Sequence, residues 1–173
     1  MRSVAIFIQN ISNFLDRMIV VILQFSVGVL ILDLNLAVLF RYVLKLPIIG
    51  TQEIALFLLA WITFLGASLS IKHHSMVAVT ILLEKLGKFE KGAQLFIQLF
   101  IFLFSLFFVI YGYQWVTSPN VLQIKTSALQ IPAWIPYSIV PVSMIITMIF
   151  TIHNILQILF RNSSDFKWEE EMF

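Results

Sequence analysis

Residues 18–40 read MIVVILQFSVGVLILDLNLAVLF, a continuous apolar run with a single charged side chain, Asp33. At about 1.5 Å per helical residue, the run is long enough to cross about 30 Å of hydrocarbon. Three comparable runs follow, at about 53–71, 93–116 and 134–160. The whole chain agrees with them. Of its 173 residues, 60% are hydrophobic and 12% charged, and the mean hydropathy is +0.97. A soluble domain is about 45–50% apolar and about 25% charged. A soluble fold of this length could not bury the surplus, so lipid is the partner for it. The expectation is an all-α integral membrane protein with four transmembrane helices.

The connections carry the breakers and the charges. Residues 41–52 contain Pro47 and Gly50, and residues 117–133 contain Pro119 and Pro132. Pro136 and Pro141 fall in the first turns of span four, where a missing N–H costs least. Residues 72–91 are the most charged stretch. Inside it, 76–86 is apolar but too short to span, which suggests a surface or re-entrant helix. Residues 1–17 are amphipathic, with Val4, Phe7, Ile8, Ile11, Phe14 and Leu15 at helical spacing. That pattern gives an interfacial helix in the membrane surface or an extension of span one. The apolar run continues past the length of a signal-peptide core and no A-x-A-like site follows, so it is not read as a cleaved leader. Residues 161–173 form a polar tail.

Net charge is +2, and the basic residues are few and scattered between apolar runs. They read as topology signals and not as a nucleic-acid surface. Arg2, Arg17, Lys72, Lys85, Lys88, Lys91, Arg161 and Lys167 fall on one side, leaving Arg41, Lys45 and Lys125 on the other. Both termini are therefore expected in the cytoplasm. Tyr111, Tyr113, Trp115, Trp134 and Tyr137 flank the third loop, as an outer aromatic belt would. With Cys absent, disulfides, thiol catalysis and Cys-ligated metals are excluded.

Asp33 lies about 6 Å past the middle of span one. A carboxylate at the centre of a span costs about 2.5–3.5 kcal/mol unless it is paired or neutral. It is either an ion or proton site or a buried polar contact with another helix or subunit. No second acidic residue lies at similar depth, which favours the contact. Arg41 and Glu53 bracket the first outer loop, where a salt bridge could close the hairpin. In span two, Glu53, Leu56, Ala60, Thr63, Ala67 and Ser70 share one face, with Gly66 beside it. Small residues let membrane helices approach closely, so this face is read as a helix–helix interface. Phe57, Phe64 and Leu65 suit lipid or a second helix. Span three places Gln94, Gln98, Ser105, Gly112 and Trp115 on one face, and span four places Ser143, Thr147, Thr151 and Asn154 likewise. These faces are read as helix contacts. His73 and His74 are adjacent and His153 is far away, which does not suit bis-histidine haem. No phosphate loop, H-E-x-x-H or nucleophile elbow is present, so neither enzymatic chemistry nor a cofactor is expected.

The run NLAVLFRY at 35–42, then Glu53, then WITFLGASLSIKHHSMVAV at 61–79, resembles the small membrane subunit of tripartite ATP-independent periplasmic (TRAP) transporters, the DctQ-like family. The residues that carry the resemblance are Asn35, Arg41, Tyr42, Glu53, Trp61, Phe64, Leu65, Gly66, Ala67, His74 and Val77. Ile131, Pro132, Trp134, Tyr137 and Pro141 resemble the family's entry into its last helix. Thr80 stands near the place where the family often has an Asp. The resemblance implies a separate small subunit of the bacterial inner membrane. It would pair with a large membrane subunit that carries sodium and an organic acid, delivered by a periplasmic substrate-binding protein. The small subunit would be a scaffold for its partner. A self-contained small transporter or channel using Asp33 is the rival reading, and a membrane cytochrome using the histidines is a third.

Overall fold

The computed structural model describes residues 2–46, 49–73 and 90–160, with side chains described from Ile8 onward except those of Glu90 and Phe160. The helices are α1 (Arg2–Tyr42), α2 (Thr51–Lys72), α3 (Glu90–Val116), the short α4 (Pro119–Gln123) and α5 (Trp134–Tyr137), and α6 (Ile139–Phe160). Four stretches are long and apolar enough to cross a membrane: Ile8–Tyr42, Thr51–Lys72, Lys91–Val116 and Trp134–Leu159. The expected four-span, all-helical membrane fold is present.

Two details differ from the simplest four-span outline. Residues 2–17 take the second of the two forms open to them, an extension of span one, as the first turns of α1. Neither glycine nor proline occurs before Gly28, so nothing there stops the helix. At about 1.5 Å per residue α1 is about 60 Å long, roughly twice the hydrocarbon thickness. The second difference is at the start of span four, which is two pieces, α5 and α6, with Ser138 between them. Pro141 has no N–H to give the carbonyl of Tyr137, and its ring crowds that carbonyl. The apolar segment at 76–86 and the tail at 161–173 lie outside the described residues.

Helix α6 is the hub. It packs against α3, α2 and α1, while α1 also packs along α2. Phe150, Ile139, Leu65 and Ile19 form the buried centre, with Trp61, Phe64 and Leu15 against them. Lipid tails are as apolar as these side chains, so close packing and interhelical hydrogen bonds must hold the helices together. The polar faces of spans three and four are packed into these contacts. Gln98, Ser105, Ser143, Thr147, Thr151 and Asn154 are all buried. A Cβ on Gly112 would lie 3.7 Å from the Pro141 ring, so the small residue brings α3 close to α6. The Asn154 Nδ2 group donates to the Ile71 carbonyl at 2.9 Å and ties α6 to the last turn of α2. These faces are helix contacts, as expected.

Candidate functional site

The α1–α2 hairpin holds most of the residues singled out by sequence, and each end is tied differently. At the end where α2 begins, Glu53 lies in its first turn. Its Oε1 accepts the Ala128 N–H at 2.8 Å and its Oε2 accepts the Leu129 N–H at 3.0 Å. Those amides belong to a tight loop in which Lys125 and Pro132 form an antiparallel bridge. The Thr126 N–H donates to the Ile131 carbonyl, and Gln130 turns the chain with φ 56°. A carboxylate holding two successive amides fixes both the position and the tilt of the loop. The expected Arg41–Glu53 salt bridge is therefore replaced. Among the described residues, Glu53 joins the start of α2 to the loop between α4 and α5, and the exposed Arg41 ends α1, where a cation complements the helix dipole.

Gly50 completes this joint. Its φ of 101° is left-handed, and a Cβ there would stand 2.6 Å from Leu129 Cδ2. Gly50→Ala is expected to destabilise the bundle by about 1–2 kcal/mol from the backbone conformation alone. Thermal unfolding in detergent, beside Gly28→Ala where a Cβ meets nothing, measures it; equal melting temperatures would contradict the joint.

At the opposite end of the hairpin Asp16 of α1 faces the end of α2. Its Oδ2 lies 3.3 Å from Lys72 Nζ and its Oδ1 lies 2.8 Å from His73 Nε2. The Lys72 ammonium also donates to the Ser12 carbonyl at 3.2 Å and to Asn13 Oδ1 at 3.1 Å. It stands 5.5 Å from the centre of the Phe150 ring on α6. This clamp joins three helices, and the sequence reading missed it. Its signal was available: opposite charges, Asp16 and Lys72, at the same end of neighbouring spans.

Asp33 sits between these two joints. Its side chain enters a cleft of about 340 Å³ lined by Leu34 and Ala37 of α1 and by Thr51, Gln52, Ala55 and Leu56 of α2. The Asp33 Oδ2 atom is inaccessible and has no hydrogen-bond partner. Because Thr51 opens α2, Asp33 is level with the first turns of that helix. Asn35 folds its amide onto its own helix, donating to the Ile31 carbonyl at 2.7 Å.

The small-residue face of α2 is largely open. Leu56, Thr63 and Ala67 are exposed, Ala60 is half-buried, and a Cβ on Gly66 would meet nothing within 4 Å. Thr63 satisfies its hydroxyl on the Leu59 carbonyl at 2.7 Å. Trp61 turns the other way, onto the core. His74 lies outside the described residues. His153 is buried on α6, and the described residues contain no group of three or more metal-ligating side chains.

Comparison with known proteins fits this arrangement. A protein of Haemophilus influenzae named for the small permease of a TRAP transporter is 27% identical over 108 residues. The matched part covers 62% of this chain and 66% of that relative, so just under two thirds of the relative's length is spanned. The family model for the DctQ component of tripartite ATP-independent periplasmic transporters matches residues 17–161, which takes in most of span one, the other three spans and the Glu53 joint. The chain belongs to the DctQ component family of tripartite ATP-independent periplasmic transporters.

Proposed function

We propose that this small permease subunit is a non-catalytic scaffold in the bacterial inner membrane. It holds the immobile part of a large, sodium-coupled transport subunit, and a periplasmic binding protein supplies an organic acid of the dicarboxylate or sialic acid class. Both termini face the cytoplasm, in keeping with the balance of Lys and Arg. The observation that carries the proposal is where the polar groups go. Gln98, Ser105, Ser143, Thr147, Thr151 and Asn154 are buried in helix contacts, while α1, α2 and α3 turn broad apolar faces outward. A bundle that keeps its polar side chains inside and presents apolar surface outside suits holding a neighbour. The unpartnered Asp33 Oδ2 is the observation that favours the rival, a self-contained transporter using that carboxylate.

Co-purification from native membranes tests the scaffold reading. The chain is expected to bring down one large membrane subunit in a fixed ratio. Gly66→Leu and Ala67→Leu, placed where the isolated chain has open space, are expected to weaken that association about tenfold while leaving the chain's own melting temperature unchanged. Recovery of the chain without a partner under mild detergent would contradict it.

A further inference from the structure

Resting on the scaffold reading, we infer that the outer α1–α2 cleft is a docking site for a basic side chain, Arg or Lys, carried by a membrane helix of the large partner subunit. The cleft has room for a long side chain, at about 340 Å³. Its walls are apolar except at Asp33, Thr51 and Gln52. Asp33 presents a carboxylate oxygen that is shielded from solvent and accepts no hydrogen bond. Such an oxygen needs a donor, and a charged donor satisfies it best. Among the described residues the ion pairs all use Asp16, and none brings a cation to Asp33. Ala37 and Ala55 form small walls that let another helix come close, and the exposed Leu34 and Leu56 line the opening with apolar surface. An apolar rim around one unpaired charge is the complement of a helix that buries a single basic residue among apolar ones. The stem of Arg or Lys would lie along the alanines and leucines while the charged head reached Asp33.

The test uses the full complex and the absence of native cysteine from this chain. Ala55→Cys places one thiol in the cleft. It is expected to react readily with a small maleimide in the isolated chain and at least tenfold more slowly in the complex. Adding Asp33→Asn is expected to restore the labelling rate and to weaken co-purification about tenfold, with Asp33→Glu retaining most of the association. Ala55→Leu, which fills the cleft and leaves the charge, is expected to give the same loss of association. Equal labelling in chain and complex would overturn the docking site while leaving the scaffold reading intact, provided the unmodified chain still co-purifies. Failure of the unmodified chain to co-purify would overturn both. Protection of Ala55→Cys in the isolated chain, seen in phosphatidylethanolamine nanodiscs and absent in phosphatidylcholine, would assign the cleft to a lipid ammonium and overturn the partner side chain.

Discussion

Phe150→Ala is expected to destabilise the helical bundle by about 3 kcal/mol, near the lower end of the range for such truncations in water-soluble cores. Phe150 has no exposed surface and is packed in the cluster with Ile19, Leu65 and Ile139. The lower end applies because lipid tails match the ring in polarity, so the water-transfer part of the usual cost shrinks and lost packing dominates. A cavity at this point would loosen α6 where the other spans meet it. The ring also faces the Lys72 ammonium at 5.5 Å, an attraction of about 0.5–2 kcal/mol. Phe150→Leu separates the two contributions, because it keeps most of the volume and loses the ring. Reversible unfolding in mixed detergent, read by tryptophan fluorescence, measures both variants. A Phe150→Ala protein as stable as the parent would remove α6 from the centre of the fold.

Asp16→Ala is expected to cost about 1.5–3 kcal/mol, the range for a hydrogen bond to a charged group. The direct losses are the contacts to Lys72 and His73. Much of the cost comes from what stays behind: the Lys72 side chain is only 9% exposed, and its ammonium would keep only the Ser12 and Asn13 oxygens. Removing one partner of such a pair costs more than removing both. The double variant Asp16→Ala with Lys72→Met is therefore expected to be more stable than Asp16→Ala alone. The same unfolding measurement gives the coupling between the two residues. Additive losses would mean that the clamp seen between α1 and α2 contributes nothing as a pair.

The spans themselves were legible in hydropathy because each is a long run with few charges. The buried faces of spans three and four were legible as well, since Gln98, Ser105, Thr147 and Asn154 recur at helical spacing. The contacts between distant segments were not. Glu53 reaches amides 75 and 76 residues away, and no local pattern names such a partner. Arg41, much nearer in sequence, looked the better match because opposite charges at one membrane face attract. The neighbour that Asp33 meets was not legible either, because the hydropathy of residues 18–40 does not say where along them the next helix begins. In the structure α1 runs on to Tyr42, and the chain then turns back to start α2 beside Asp33. The small-residue face of α2 was recognised, but spacing alone could not say whether another helix of this chain covers it. Among the described residues nothing covers Gly66 and Ala67.

Solute uptake into sealed vesicles is the most direct test of a holding role. Vesicles containing this chain alone are expected to take up organic acid no faster than protein-free vesicles, with or without a sodium gradient. Vesicles that also contain the large subunit, with the binding protein added outside, are expected to accumulate it when sodium is high outside. Uptake by the chain alone that disappears on Asp33→Asn would contradict the scaffold and make the chain a carrier in its own right.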